Sequence, residues 1–410
     1  MSVSYDELLR RLFAARRAGV DWGTARVRAV LDALGAPDRS LGTIVHVGGT
    51  NGKGSTSAMI AAIARAAGRR VGMYTSPHLS CLRERALIDG ELASEDAWCG
   101  AAERVWAAGG SELTFFEQVT AIGVCVLAEA ALDVCVLEVG LGGRLDATNA
   151  IDAPIAVVTG VAMDHEQYLG DTLRAIAGEK AGIFKRGQRV VIGASGEREA
   201  VPWLADAARA AGAESLTIVS DEMIAAVPPV ALLGAHQRAN AAAAIAAIEM
   251  LDPTIGPLLR AKGLASARNP GRLEEVAPGI VLDGAHNPHG ARALGAWLAD
   301  RSERPRVLVV AVSSDKDVAA MLAALTPHVE RVIATRYAQP RAMDPAALAT
   351  LANGAETAPD VMTAIARARH DGAALIIVAG SLFVVGEARA HLIGGPIDPI
   401  VVTDPVGPKI

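Results

Sequence analysis

Aromatic side chains are scarce, 3% of 410 residues, and there is no basic excess: 39 Lys and Arg stand against 45 Asp and Glu, for a net charge of −6. A surface that tracks a phosphate backbone needs a positive excess, so nothing electrostatic points to a nucleic-acid partner. No run of about 18 apolar residues occurs, which leaves no segment to span a bilayer as a helix. The most apolar stretch, 120–140, is broken by Glu129, Asp133 and Glu138. At the N-terminus Asp6, Glu7, Arg10, Arg11, Arg16 and Arg17 interrupt the apolar positions, so the uninterrupted core of a signal peptide is missing. The four cysteines, Cys81, Cys99, Cys125 and Cys135, form no CxxC pair and no zinc-like spacing with histidine. They read as buried free thiols of a cytoplasmic protein.

What the chain does have is 51% hydrophobic and 20% charged residues, the balance of a folded protein, in a length suited to two or three domains. Short β-branched runs at 43–47, 71–74, 133–139, 154–159 and 189–192 alternate with helical or loop-like sequence, and an Ala-rich helix over 238–250 closes the series. Such alternation predicts a mostly parallel sheet covered by helices. The segment RNPGRLEEV, 268–276, carries Pro and Gly and reads as a hinge. Beyond it strands at 279–283, 307–312, 331–335 and 374–379 alternate with helices at 289–300, 317–326, 345–352 and 360–369. The expected architecture is therefore α/β: a large P-loop-type domain over 1–267, a smaller Rossmann-like α/β domain over 268–392, and a loose Pro- and Gly-rich tail over 393–410.

Between the strand at 43–47 and a helix from about 55 lies Gly48-Gly49-Thr50-Asn51-Gly52-Lys53-Gly54-Ser55-Thr56. Glycines let backbone N–H groups turn inward around phosphate oxygens, the helix start adds its positive dipole end, and Lys53 supplies a mobile cation. The spelling departs from GxxxxGK[ST]: Val47 stands at the first glycine, and Gly54 where a hydroxyl follows the lysine. A magnesium ligand must then come from elsewhere. Ser76, in Tyr74-Thr75-Ser76-Pro77-His78-Leu79 at the next strand end, is one candidate, though a plain Ser-Pro turn also explains it. Glu138, ahead of Val139-Gly140-Leu141-Gly142-Gly143-Arg144-Leu145-Asp146, is another: a carboxylate in an apolar strand needs a metal or an ion pair. Asp164-His165 and the Glu179-Lys180 pair add further charge. In the second half Arg272 has the fork to hold phosphate and Asp283 can accept ribose hydroxyls, while an Asp-Gly turn and an Asn cap account for Asp283-Gly284-Ala285-His286-Asn287 equally well.

The ordered set HVGGTNGKGST, YTSPHL, LTFFE, LEVGLGGRLDATN, DHEQYLGDT, EKAGIFK, HQRANA, GRLE and DGAHNPHGA closely resembles the folylpolyglutamate synthase/dihydrofolate synthase family, a branch of the Mur-ligase superfamily. The resemblance runs from Asp21-Trp22-Gly23 with Arg26 to GSLFVVGEAR at 380–389, and departs at Trp22 and Gly48, where a small aliphatic and an alanine are usual. It implies that Asn51, Gly52, Lys53, Gly54 and Ser55 hold the phosphates of ATP, with Asn240, Arg272 and Asp283 as further ATP contacts. Ser76, Glu138 and His165 are implied as magnesium ligands, and Lys180 as a carbamylated lysine that helps bind a second metal. The pterin substrate is implied near Asp21, Trp22 and Gly23, near Thr114, Phe115, Phe116 and Glu117, and near Leu145, Asp146 and Ala147. His286 and Ser381 are implied at the incoming glutamate, His286 with a catalytic role beside Lys53, Glu138, His165 and Lys180.

A member of that family is expected to use ATP and Mg2+ to add L-glutamate to dihydropteroate or a reduced folate through an acyl phosphate, as a cytoplasmic monomer. Two other readings compete. A peptidoglycan-type Mur ligase usually carries a UDP-sugar domain before its glycine loop, and 47 residues are too few for one. A P-loop switch ATPase shares the strand–loop–helix but has no use for the Arg272 and Asp283 cluster.

Overall fold

The computed structural model describes residues 3–15 and 23–398. They divide into two compact units. The first runs through Ala231 and takes in Gln237–Arg268 and Asp398; the second comprises Leu232–His236 and Asn269–Ile397.

The first unit is built on an eight-stranded sheet: β1 (Thr43–Gly48), β2 (Val71–Tyr74), β3 (Ala86–Ile88), β4 (Glu91–Leu92), β5 (Val134–Glu138), β6 (Ile155–Val158), β7 (Arg189–Ile192) and β8 (Ser215–Ile218). Their order is β4-β3-β2-β5-β1-β6-β7-β8. All neighbours pair in parallel except β2–β3 and β3–β4, which are antiparallel. The central strands read as continuous β-branched runs because both of their faces are covered. One apolar cluster packs Leu8, Leu12, Leu31, Trp98, Phe115 and Ile122 against Ile44, Cys135 and Leu137. A second gathers Ile176, Leu204 and Ala208 on Ala156, Val158 and Ile192. The region read as helical over 5–35 contains helices Tyr5–Ala15 and Ala25–Ala33. All four cysteines are free and buried, as composition suggested.

The second unit holds β9 (Glu274–Ala277), β10 (Ile280–Asp283), β11 (Arg306–Val310), β12 (Arg331–Ala334), β13 (Glu356–Thr357) and β14 (Leu375–Ala379), ordered β13-β12-β11-β14-β10-β9. Only β9 runs antiparallel to its neighbour. Side chains in the sequence start its helices: Asn287, Asp317, Asp344 and Asp360 each accept a backbone N–H of the first turn. Its core is aliphatic, with Leu294, Leu298, Leu308, Met321, Leu348 and Ile377 in contact.

The segment expected to begin a loose tail behaves otherwise. Helix Leu382–Ile393 takes in its first residue. Asp398 then joins the first unit: it accepts Leu82 N (2.7 Å) and Tyr5 Oη (3.1 Å) and donates its own N–H to Ser80 O (3.0 Å). No helix among the described residues is long and apolar enough to cross a membrane.

Candidate active site

Strand β1 is flanked by β5 and β6, so the chain turns to opposite sides after it, and the carboxyl ends of β2, β5, β1 and β6 lie next to one another. A crevice outside such a reversal is where open α/β sheets take ligands. The glycine loop leaves β1, Thr75-Ser76 leave β2, Glu138 ends β5, and the segment leading to Asp164-His165 follows β6.

The loop is shaped for an anion. Helix Lys53–Ala66 begins behind Gly52, whose φ of 83° belongs to the left-handed region and which, as the N-cap, offers no side-chain acceptor to the first turn. A Cβ on Gly52 would collide with Asn240 Oδ1. Asn240 is itself held by Ser195 Oγ, which donates to its Oδ1 (2.6 Å), and by Gln237 Oε1, which accepts its amide (2.9 Å). Gln237 Nε2 in turn donates to Ser55 Oγ (3.3 Å). Thr159, at the end of β6, donates its hydroxyl to Asn51 O (2.6 Å). Asn51, Gly52, Ser55 and Asn240, separated by nearly 190 positions, thus form one assembly in the first unit.

Two lysines converge on it. Lys53 Nζ donates to Gly49 O and Thr50 O, both at 3.1 Å, and Lys180 Nζ also donates to Gly49 O at 3.1 Å. Lys180 is buried, and burial together with the neighbouring Lys53 ammonium brings its amine down to about 7. A lysine that sheds its proton near neutrality is a nucleophile rather than a surface charge.

At the ends of β2 and β5, Glu138 Oε2 accepts the Ser76 N–H (3.3 Å) and the Thr75 hydroxyl. Ser76 Oγ is buried with no hydrogen-bond partner. An orphaned hydroxyl beside a carboxylate suits a hard cation that keeps phosphate or water oxygens in its remaining positions. No group of three His, Cys, Asp or Glu side chains able to hold a metal occurs among the described residues, so a cation here takes a mixed donor set. His165 starts the short helix Glu166–Leu169 with a φ of 52°, its Nε2 3.8 Å from Asp164 Oδ2.

Of the residues expected near a second substrate, Asp21 and Trp22 lie outside the described residues. Thr114 and Glu117 cap each other at the start of helix Phe115–Ala128, and Arg26 pairs with Glu117 at 2.5 Å. The tip of the Phe116 ring meets Gly140, where any Cβ would collide with it, and the Arg85 guanidinium sits 5.6 Å from the Phe115 ring centre. Leu145 is exposed and Ala147 buried. The Asp146 carboxylate is already engaged by its own loop, accepting Leu141 N (2.8 Å), Thr148 N (2.9 Å) and Thr148 Oγ1 (2.5 Å).

In the second unit Asp283 ends β10 and accepts the N–H groups of Leu273 and Ala285, both at 2.9 Å. Burial raises its carboxyl above the usual range and the Arg272 charge opposes that rise. A Cβ on Gly284 would strike Arg272, which places the guanidinium against the turn. His286 Nδ1 lies 2.8 Å from Gly284 O, and Ser381 Oγ accepts the Phe383 N–H at the start of the last helix. Sequence reasoning missed Thr159, Ser195 and Gln237. The visible signal was weak: one polar residue at the end of an apolar strand, one in a loop, and one in the first turn of helix His236–Leu251.

The chain is similar to known proteins over most of its length. The family model for the Mur ligase middle domain matches residues 47–248, and that for the dihydrofolate synthetase C-terminal domain matches 271–391. The dihydrofolate synthase/folylpolyglutamate synthase of Mycobacterium tuberculosis is 37% identical, the match covering 90% of each chain. A Haloferax volcanii protein, named a probable bifunctional folylpolyglutamate synthase/dihydropteroate synthase, is 37% identical over 94% of this chain, which spans only 50% of its length. Escherichia coli FolC, solved in complex with DHPP and ADP, superposes with a TM-score of 0.85 at 32% identity, covering 94% of this chain and 96% of its own. The Yersinia pestis bifunctional folylpolyglutamate synthase/dihydrofolate synthase, solved with AMPPNP and a Mn ion, gives 0.83 at 34% identity, covering 91% and 94%.

Proposed function

Because this chain belongs to the dihydrofolate synthase/folylpolyglutamate synthase family, we propose that it is an ATP-dependent ligase that joins L-glutamate to dihydropteroate, forming dihydrofolate, and to reduced folates, extending their glutamyl tails. ADP and phosphate are the co-products. The observation that carries this reading is the convergence of Lys53 and Lys180 on the Gly49 carbonyl, in the glycine loop that leads into helix Lys53–Ala66.

The residues divide the work as follows. Asn51, Gly52, Gly54 and Ser55 wrap the ATP phosphates with backbone and hydroxyl donors, and Asn240 holds the loop in that shape. The ammonium of Lys53 meets the charge that builds on the transferred γ-phosphoryl group as the substrate carboxylate attacks it. Arg272 and Asp283 serve the nucleotide as well, one through charge and one through an acceptor for ribose hydroxyls. Ser76, Glu138 and His165 would hold Mg2+, which supplies neutralisation of phosphate charge when bound. Lys180, whose amine loses its proton near pH 7, would be carbamylated by CO2 and so would present a carboxylate for a second cation. The pteroyl acid lies along Gly23, Thr114, Phe115, Phe116, Glu117 and Leu145-Asp146-Ala147, with Asp21 and Trp22 contributing from outside the described residues. His286 and Ser381 receive glutamate, whose amine attacks the acyl phosphate. Holding three reactants in line makes positioning a large part of the rate enhancement.

The protein works in the cytoplasm as a monomer on these small molecules, without nucleic acid or membrane. Incubation with ATP, glutamate and either dihydropteroate or tetrahydrofolate should yield products heavier by one glutamyl unit in each case. Failure to glutamylate either acid would refute the assignment, and a product from only one would restrict it.

A further inference from the structure

We propose that His46 and Thr148 are positioning residues for the loop that receives the carboxylate substrate, and that they act through Asp146. The inference deepens the reading above and rests on it for its kinetic arm.

His46 lies in the middle of β1, 1% exposed, on the strand face it shares with Ile44, two residues before the glycine loop. A ring with two polar nitrogens in an apolar strand is costly unless it is hydrogen-bonded. Its Nε2 is 2.8 Å from Thr148 Oγ1. That hydroxyl has a single proton, which it gives to Asp146 Oδ1 at 2.5 Å. The hydroxyl must therefore accept from the imidazole, which places a proton on His46 Nε2. Burial pulls the imidazole down to about 3, so the ring stays uncharged.

The donors form a one-way chain from β1 into the carboxylate. Asp146 also accepts Thr148 N and, on its other oxygen, Leu141 N. With both oxygens taken, this side chain shapes the loop 141–148 rather than gripping a substrate itself. What the loop offers outward is the exposed Leu145, and just ahead of the loop Gly140 meets the Phe116 ring. Since β1 also leads straight into the nucleotide loop, a single buried chain ties the acid-binding loop to the strand that presents ATP.

Thr148→Val removes the hydroxyl and keeps the shape; Thr148→Ser keeps the hydroxyl. Thr148→Val should raise KM for the pteroyl acid about tenfold or more while KM for ATP stays within about twofold, and Thr148→Ser should restore the acid KM to within about twofold of the parent. An unchanged acid KM in Thr148→Val, or equal rises for acid and ATP, would overturn the proposal. A second readout needs no turnover: 15N spectra of the histidine-labelled enzyme should show the His46 proton on Nε2, and a proton on Nδ1 would break the chain of bonds. If the parent enzyme glutamylates neither acid, the functional reading fails instead, and the imidazole spectrum alone decides the hydrogen-bond chain.

Discussion

The two units place their candidate residues alike, at the carboxyl ends of parallel strands, but equip them differently. In the first unit, charge is forced together: two lysines share one carbonyl oxygen, a glutamate ends a buried strand, and a serine hydroxyl is left without a partner. In the second, the one buried carboxylate at the candidate site is satisfied by two backbone N–H groups and faced by an arginine, so the turn is held at rest. The first arrangement concentrates charge and leaves the Ser76 hydroxyl open to a ligand; the second is a finished shape that a ligand can rest upon. Substitution of the two lysines in the first unit should therefore reduce turnover, and substitution of the arginine in the second should reduce affinity.

The strongest test is Lys53→Ala, expected to lower kcat by about 10³-fold or more with little change in folding, measured as glutamate-dependent phosphate release. Near-normal turnover would erase the contrast. Lys180→Ala should cost about 10²-fold. Its pH behaviour has a definite sign. The amine is held at about 7 instead of 10.5, so it is an ammonium below that pH and a free amine above it. Only the free amine forms a carbamate, so the carbamate signal in 13C-bicarbonate and kcat should climb together as pH rises through about 7. A carbamate-free enzyme that is fully active at every pH would remove Lys180 from the chemistry. In the second unit, Arg272→Ala should raise KM for ATP about tenfold and leave kcat within a factor of about three; a fall in kcat alone would show that this unit also acts on the transition state. The smallest effect belongs to Asp398→Ala, which leaves Leu82 N and Tyr5 Oη without their acceptor. It should lower the melting temperature by about 2–4 °C, seen by calorimetry, with kinetics unchanged.

Much of this was legible in the chain because it is local. Glycine spacing, the Gly-Lys pair and β-branched runs report strand–loop–helix directly, and the central strands fall close to where periodicity puts them. Strands β3 and β4, of three and two residues, are too short to show a period; the edge strand β8 also went unread, and the antiparallel β9 overlaps the stretch read as a hinge. Thr159, Ser195 and Gln237 were invisible because only tertiary pairing brings them to the loop. Asp146 illustrates the opposite limit. Its motif marked it as important, yet only the coordinates show its oxygens turned inward on Leu141 and Thr148. Helix Leu382–Ile393 was hidden by the Pro- and Gly-rich sequence that follows it.

The return of the chain to the first unit at Asp398 bears on how such genes can be recombined. The first unit is encoded by three separate stretches, and the last supplies an acceptor for groups specified near the start of the gene, at Tyr5 and Leu82. A crossover that exchanges only the 3′ end between two relatives splits a matched pair of codons roughly four hundred positions apart. Chimeras that inherit both ends from one parent should therefore melt a few degrees higher than those that split the pair, by about the 2–4 °C expected for Asp398→Ala.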